Sequence, residues 1–104
     1  MTKRESKRIT LKVWTYLAGH PEIACKEALP IKLYEEINSF IADCPLCELF
    51  YRKDCAGCPL YNVSNGTYCA GGGEAYERWL KSKEEKTREE SAREIVAKVR
   101  AWKV

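Results

Sequence analysis

The segment Cys44-Pro-Leu-Cys47, followed by Cys55-Ala-Gly-Cys58 and then by Cys69, is the most informative part of this 104-residue chain. Five of the six cysteines lie in this segment, in the pattern C-x2-C-x7-C-x2-C-x10-C. A Cys-x-x-Cys motif on a tight turn directs two thiolates at one point, and two such motifs complete the four-sulfur cage of structural zinc sites. The spacing therefore predicts one metal site held by four of these five cysteines.

Five thiols for four positions leave the ligand set open. The two Cys-x-x-Cys motifs alone complete a site, and Cys69 then lies outside it. Alternatively Cys69 replaces one of them, and Cys55 is the one most easily replaced. The ligands would then be Cys44, Cys47, Cys58 and Cys69.

Two further residues that could bind metal lie outside this segment. His20 is the only histidine of the chain, and its position between Gly19 and Pro21 predicts an exposed side chain. Cys25 has no cysteine near it in the sequence, and we expect it to be a small core residue inside a helix.

Zinc is favoured over an iron–sulfur cluster. Four thiolates suit either metal centre. The chain lacks the C-x2-C-x2-C run of bacterial ferredoxins, and paired Cys-x-x-Cys motifs are commoner around zinc. We therefore expect one Zn²⁺ ion, with a [4Fe-4S] cluster as the alternative.

Three disulfides would be another use of six cysteines. They require an oxidising compartment. The first eight residues, MTKRESKR, are charged, and no apolar signal-peptide segment follows them. The sequence also contains no apolar run long enough to cross a membrane. We therefore expect a cytoplasmic protein in which the cysteines bind metal.

The basic residues at the start of the chain account for its whole net charge. Residues 1–8 hold four basic side chains and one acidic side chain, which gives the +3 of the full sequence. We expect these residues to form a basic, flexible tail. They support an alternative function, a nucleic-acid-binding zinc protein that also uses two basic residues between the Cys-x-x-Cys motifs. The residues in question are Lys3, Arg4, Lys7, Arg8, Arg52 and Lys53.

Helical patterns surround the cysteine segment. On the N-terminal side, apolar spacing predicts a short helix over Ile9–Ala18, with Leu11, Trp14, Leu17 and Ala18 on one face. A second short helix is predicted to begin at Pro21, and a third to cover Ile31–Ala42. The fold class is therefore mainly α, a small helical domain with a zinc-knuckle loop region of the four-cysteine type. Residues 9–104 form one metal-stapled domain, divided into N-terminal helices (9–42), the cysteine cluster (43–73) and C-terminal helices (74–104).

The C-terminal part, residues 74–104, is predicted to form two amphipathic helices. The polar stretch 81–90 separates them, and Thr87 is expected to cap the second helix. Ala92, Ile95, Val96 and Val99 form an apolar stripe that we expect to close the core of the domain rather than to pair with another chain. Acidic and basic residues are interleaved on the polar side, and four pairs stand four residues apart with the acid first. These pairs are Glu77–Lys81, Glu84–Arg88, Glu89–Arg93 and Glu94–Lys98.

The residues predict no catalytic site. A catalytic zinc keeps one position open for water and normally has histidine or carboxylate ligands. Here sulfur saturates the predicted cage, and no nucleophile triad or phosphate-binding loop is present in the sequence. We therefore expect a protein that is not an enzyme.

The segments CPLCELF, CAGCPLY and YC, preceded by HPEI and LPIKLYEEI and followed by EAYERWL, resemble small uncharacterised cysteine-cluster proteins of bacteria and their phages. The similarity covers roughly residues 14–80. It implies that the cluster binds metal as a structural unit, and it is compatible with a phage or prophage origin. It carries no activity. The expected function is a structural-zinc protein that acts as a small protein-interaction module, directed at a host protein.

Overall fold

The computed structural model of the protein describes residues 2–37, 46, 58–60 and 74–104. Helices and turns make up the described residues, and no strand occurs among them. The predicted mainly α fold class is thus confirmed. The helices are α1 (Lys3–Gly19), α2 (Ile31–Ile37), α3 (Ala75–Lys81) and α4 (Glu85–Arg100), with a 3₁₀ turn over Lys26–Ala28.

Helix α1 begins at Lys3 and not at Ile9, where the apolar pattern starts. The hydroxyl of Thr2 caps it by accepting a hydrogen bond from the backbone N–H of Glu5 at 3.1 Å. Ser6 is fully buried in the first turns of the helix. The predicted start is therefore corrected, and the basic residues at positions 3–8 belong to α1.

The buried face of α1 also differs from the prediction. Ile9, Val13, Trp14 and Leu17 are buried, whereas Leu11 and Ala18, both on the predicted apolar face, are only partly buried at the edge of the core. The core face is therefore rotated relative to the predicted stripe.

The predicted helix starting at Pro21 does not form. Pro21 lies in a turn, and its carbonyl oxygen accepts a hydrogen bond from the Nε of Arg88 at 2.6 Å. In a helix that carbonyl would accept from the N–H of Cys25, four residues on. Cys25 is exposed, so its prediction as a core residue is wrong.

Helix α2 starts directly after Pro30, whose carbonyl accepts hydrogen bonds from the backbone N–H groups of Leu33 and Tyr34, both at 3.0 Å. The described part of this helix ends at Ile37, which is fully buried. The predicted continuation to Ala42 lies outside the described residues.

The C-terminal part consists of two helices, as predicted, but the break comes earlier than expected. Ser82 ends α3, and its hydroxyl accepts from the N–H of Glu84 at 3.1 Å. Thr87 lies inside α4, so its prediction as a cap is wrong. Glu84 occupies the N-cap position and the helix begins at Glu85, so Thr87 falls within its first turn.

Helices α1, α3 and α4 pack on one core. The apolar stripe of α4 is buried within the chain, as predicted, and packs against α1. Trp14 meets Trp79 edge to face with ring centroids 5.0 Å apart, and it meets Tyr76 edge to face at 5.8 Å. Within the described ranges, none of the helices combines the length and apolar character that a membrane span needs.

Candidate metal centre

One of the five clustered cysteines lies in the described part of the chain. It is Cys58, the second cysteine of the second Cys-x-x-Cys motif, and its side chain is buried with 7% exposure. The other four, Cys44, Cys47, Cys55 and Cys69, lie outside the described residues. The predicted ligand set therefore stays a prediction.

Two leucines, one inside the first motif and one just after the second, are buried in the core. Leu46, inside the first motif, is 1% exposed, and Leu60, two residues after the second motif, is 4% exposed. Together with Cys58 they belong to one cluster of buried apolar residues. Each Cys-x-x-Cys motif thus contributes at least one buried residue to the same core.

The sequence contains a signal for these leucines that the cysteine spacing alone does not reveal. The tripeptide Cys-Pro-Leu occurs twice, at 44–46 and at 58–60. Its leucine is buried both times. In this repeat Cys44 and Cys58 are the equivalent cysteines, although one is the first and the other the second cysteine of its motif.

The same buried cluster contains side chains from each of the four helices in the described part of the chain. Leu17 comes from α1, Ile37 from α2, Trp79 from α3 and Ile95 from α4. Leu46, Cys58 and Leu60 therefore share one core with the four described helices. A metal ion bound there would join the N-terminal and C-terminal helices.

His20 is not the exposed side chain that its neighbours predict. It is half-buried at the end of α1, and its ring stacks on the ring of Tyr16 with centroids 3.9 Å apart. Its Nδ1 lies 2.9 Å from the carbonyl oxygen of Tyr16. Among the described residues, no group of three or more histidines, cysteines and carboxylates lies close enough to hold a metal.

The basic residues considered for nucleic-acid binding differ in what they contact. Lys3 and Arg4 are exposed, and one guanidinium nitrogen of Arg8 lies 3.6 Å from a carboxylate oxygen of Glu36. The ammonium of Lys7 donates to the carbonyl oxygen of Trp102 at 2.5 Å. Residues 52 and 53, an arginine and a lysine, lie outside the described residues. The N-terminal cations therefore differ in their availability to a ligand, because the ammonium of Lys7 is hydrogen-bonded within the fold.

Comparisons with known proteins add no independent indication of function. No family model, no curated protein and no solved structure matches the chain. Function is therefore inferred from the residues and their geometry.

Proposed function

We propose that the chain is a non-enzymatic structural-zinc protein that acts as a small protein-interaction module. The observation that carries this proposal is the burial of Leu46 and Cys58, one from each motif, in a single core. Along the chain, Cys44 and Cys47 are within two residues of Leu46, and Cys55 is three residues from Cys58. A four-sulfur zinc site requires the two Cys-x-x-Cys motifs to lie close together, and one buried residue from each in the same core supports that arrangement.

One Zn²⁺ ion is proposed, bound by four of the five clustered cysteines. A thiolate in apolar surroundings needs a positive charge close to it, which the metal ion supplies. The small core of a 104-residue chain gains stability from such a link, since metal binding adds directly to the free energy of folding.

The proposed site is structural rather than catalytic. Four thiolates leave no open position for water on the metal. The histidine that could replace one of them, His20, is already stacked on Tyr16 and close to its carbonyl oxygen. This supports a non-enzymatic role for the metal.

The interaction role is supported by the surface between α1 and α2. Leu11, Tyr16 and Leu33 are only partly buried there and line a groove. The resemblance to cysteine-cluster proteins of bacteria and phages supports a host protein as the client of a phage-derived module.

Two alternatives use the same residues differently. A nucleic-acid-binding zinc protein would use the basic N-terminal residues, and the contact between Lys7 and Trp102 counts against it because that ammonium is engaged. An iron–sulfur redox protein would bind a [4Fe-4S] cluster through the same cysteines, and its visible absorption would distinguish it from colourless zinc protein.

Native mass spectrometry with an absorption spectrum, on protein purified without oxygen, tests the proposal. We expect one zinc ion per chain and no visible absorbance. Cys58→Ser and Cys47→Ser should lose the zinc, whereas the matched control Cys25→Ser, at an exposed cysteine, should keep it. Visible absorbance with bound iron, or a mass reduced by pairs of hydrogens without metal, would contradict the proposal.

A further inference from the structure

A groove of about 600 Å³ lies between α1 and α2. Its apolar lining comes from Leu11, Tyr16 and Leu33, and two basic residues, Arg8 and Lys12, stand along its edge. The side chains of these two basic residues are 58% and 51% exposed. The groove thus combines an apolar floor with cations that face solvent.

A second groove, of about 290 Å³, lies on the other side of α1, against α4. Ala18, Val96 and Ala97 form its apolar part, and Arg93 and Arg100 are its basic residues. Thr15 lines both grooves, so the two meet along the exposed side of α1. We call them together the Thr15 surface.

Positive charge exceeds negative charge on the Thr15 surface. Arg8 and Lys12 share a single carboxylate, that of Glu36, at 3.6 and 3.0 Å. Arg93 pairs with one acidic residue of its own helix at 2.6 Å. Within the described part of the chain, Arg100 forms no ion pair. Among the described residues, four cations of this surface therefore meet two carboxylates, and the surface favours an anionic partner.

We propose that the Thr15 surface binds an acidic amphipathic helix of a partner protein. From Arg8 to Ala18 the surface extends about 15 Å along α1, which matches roughly three turns of a second helix. Large aliphatic side chains such as leucine on one face of that helix would fill the grooves. Carboxylates next to them would pair with the four cations. This is the helix-in-groove mode of recognition.

The lining of the surface disfavours other anionic partners. Single-stranded nucleic acid binds by stacking bases on aromatic rings, and the aromatic ring in the grooves, Tyr16, is stacked on His20. A membrane-binding surface presents its large apolar side chains outward, whereas Leu11 and Leu33 are partly buried against the core. A protein helix fits both features.

The proposal rests on the proposed function only in taking the partner to be a protein. A displayed library of helix-forming peptides, about four turns long, is selected against the purified full chain. Variants Arg93→Gln/Arg100→Gln and Thr15→Trp alter the Thr15 surface, and Lys86→Gln is the matched control at an exposed position of α4. Circular dichroism checks that each variant is folded, and metal content is measured on the same samples.

We expect the selected peptides to carry Asp or Glu beside an apolar stripe. Their binding should weaken about tenfold or more in Arg93→Gln/Arg100→Gln and in Thr15→Trp, and remain within about twofold in Lys86→Gln. Selection of no peptides, of basic peptides, or of peptides that bind all variants equally would overturn the proposal. Binding to phosphatidylglycerol vesicles or to single-stranded DNA that Arg93→Gln/Arg100→Gln abolishes would also overturn it, in favour of that partner. If zinc-loaded protein selects no acidic peptide, the proposed docking surface is wrong and the zinc proposal still stands.

Discussion

The ammonium of Lys7 donates a hydrogen bond to the carbonyl oxygen of Trp102 at 2.5 Å and joins the two ends of the chain. It also lies 3.4 Å from the carbonyl oxygen of Arg100, the last residue of α4. The last carbonyls of a helix have no partner within the helix, and a cation there opposes the negative end of the helix dipole. A residue of the basic N-terminal segment thus caps the C-terminal helix.

Replacement of Lys7 by methionine should therefore destabilise the fold. We expect Lys7→Met to lower the free energy of unfolding by about 1 kcal/mol, because two carbonyl groups lose a charged donor. Lys3→Met, at an exposed position of the same helix, is the control and should have little effect. Urea unfolding followed by circular dichroism measures both. Equal stability of the two variants would show that the contact contributes nothing.

Arg88 connects two loops through its guanidinium group. Its Nε donates to the carbonyl of Pro21 at 2.6 Å, and a terminal nitrogen donates to the carbonyl of Ser82 at 3.2 Å. Arg88 reaches the two carbonyls with two different nitrogens of its planar group, which the single nitrogen of a lysine does not reproduce, so Arg88→Lys should cost about 1–2 kcal/mol. Arg93→Lys, at an exposed arginine of the same helix, should cost less than about 0.5 kcal/mol. A thermal unfolding series distinguishes the two, and a smaller loss at Arg88 than at Arg93 would contradict the expectation.

Three buried hydroxyl groups, those of Ser6, Thr10 and Ser91, have no hydrogen-bond partner among the described residues. A buried hydroxyl without a partner makes the folded protein less stable than an apolar group of the same shape would. We therefore expect Thr10→Val to raise the free energy of unfolding by about 1 kcal/mol. Thr15→Val, at an exposed threonine of the same helix, is the control. A loss of stability in Thr10→Val alone would mean that its hydroxyl is satisfied in solution.

Metal removal should loosen the tryptophan core. Leu46 and Cys58 belong to the same buried cluster as Trp14 and Trp79. Loss of a metal bound next to Leu46 and Cys58 would therefore loosen the packing around both tryptophan rings. We expect a strong chelator to lower the melting temperature and to shift tryptophan fluorescence to longer wavelength. Added zinc should reverse both changes, and added magnesium should not. Unchanged fluorescence and melting after complete zinc removal would contradict a structural role.

The sequence predicts α4 well because its signal is local. Ala92, Ile95, Val96 and Val99 recur at helical spacing and are all buried, so in this helix the period identifies the buried face. The start of α1 could not be predicted in the same way. Its first turns contain few apolar residues and are tied to the fold by a contact with residue 102, which only the folded chain brings near.

Charge pairs show the same limit of sequence-based prediction. Glu89 and Arg93 pair at 2.6 Å within α4, as the four-residue spacing predicts. Glu94 instead pairs with Arg78 of α3, and Lys98, its expected partner, also pairs with a residue before α3. The spacing predicts which side chains can meet within a helix, but the packing of α3 beside α4 offers other partners.

The candidate site is only partly predictable for a related reason. Cysteine spacing indicates a four-sulfur cage, yet a fifth thiol, Cys69, leaves more than one set of ligands with acceptable spacing. The burial of Leu46 and Leu60 depends on the surface that the helices form, which the spacing does not describe. Both leucines belong to one buried cluster, which also contains Cys58.

X-ray absorption at the zinc edge of the purified protein is the decisive experiment for the proposed zinc site, because it reports the atoms bound to the metal. We expect four sulfur atoms at about 2.3 Å from one zinc ion, unchanged in Cys25→Ser. A first shell of nitrogen and oxygen atoms, or iron in place of zinc, would contradict a structural zinc site held by four cysteines.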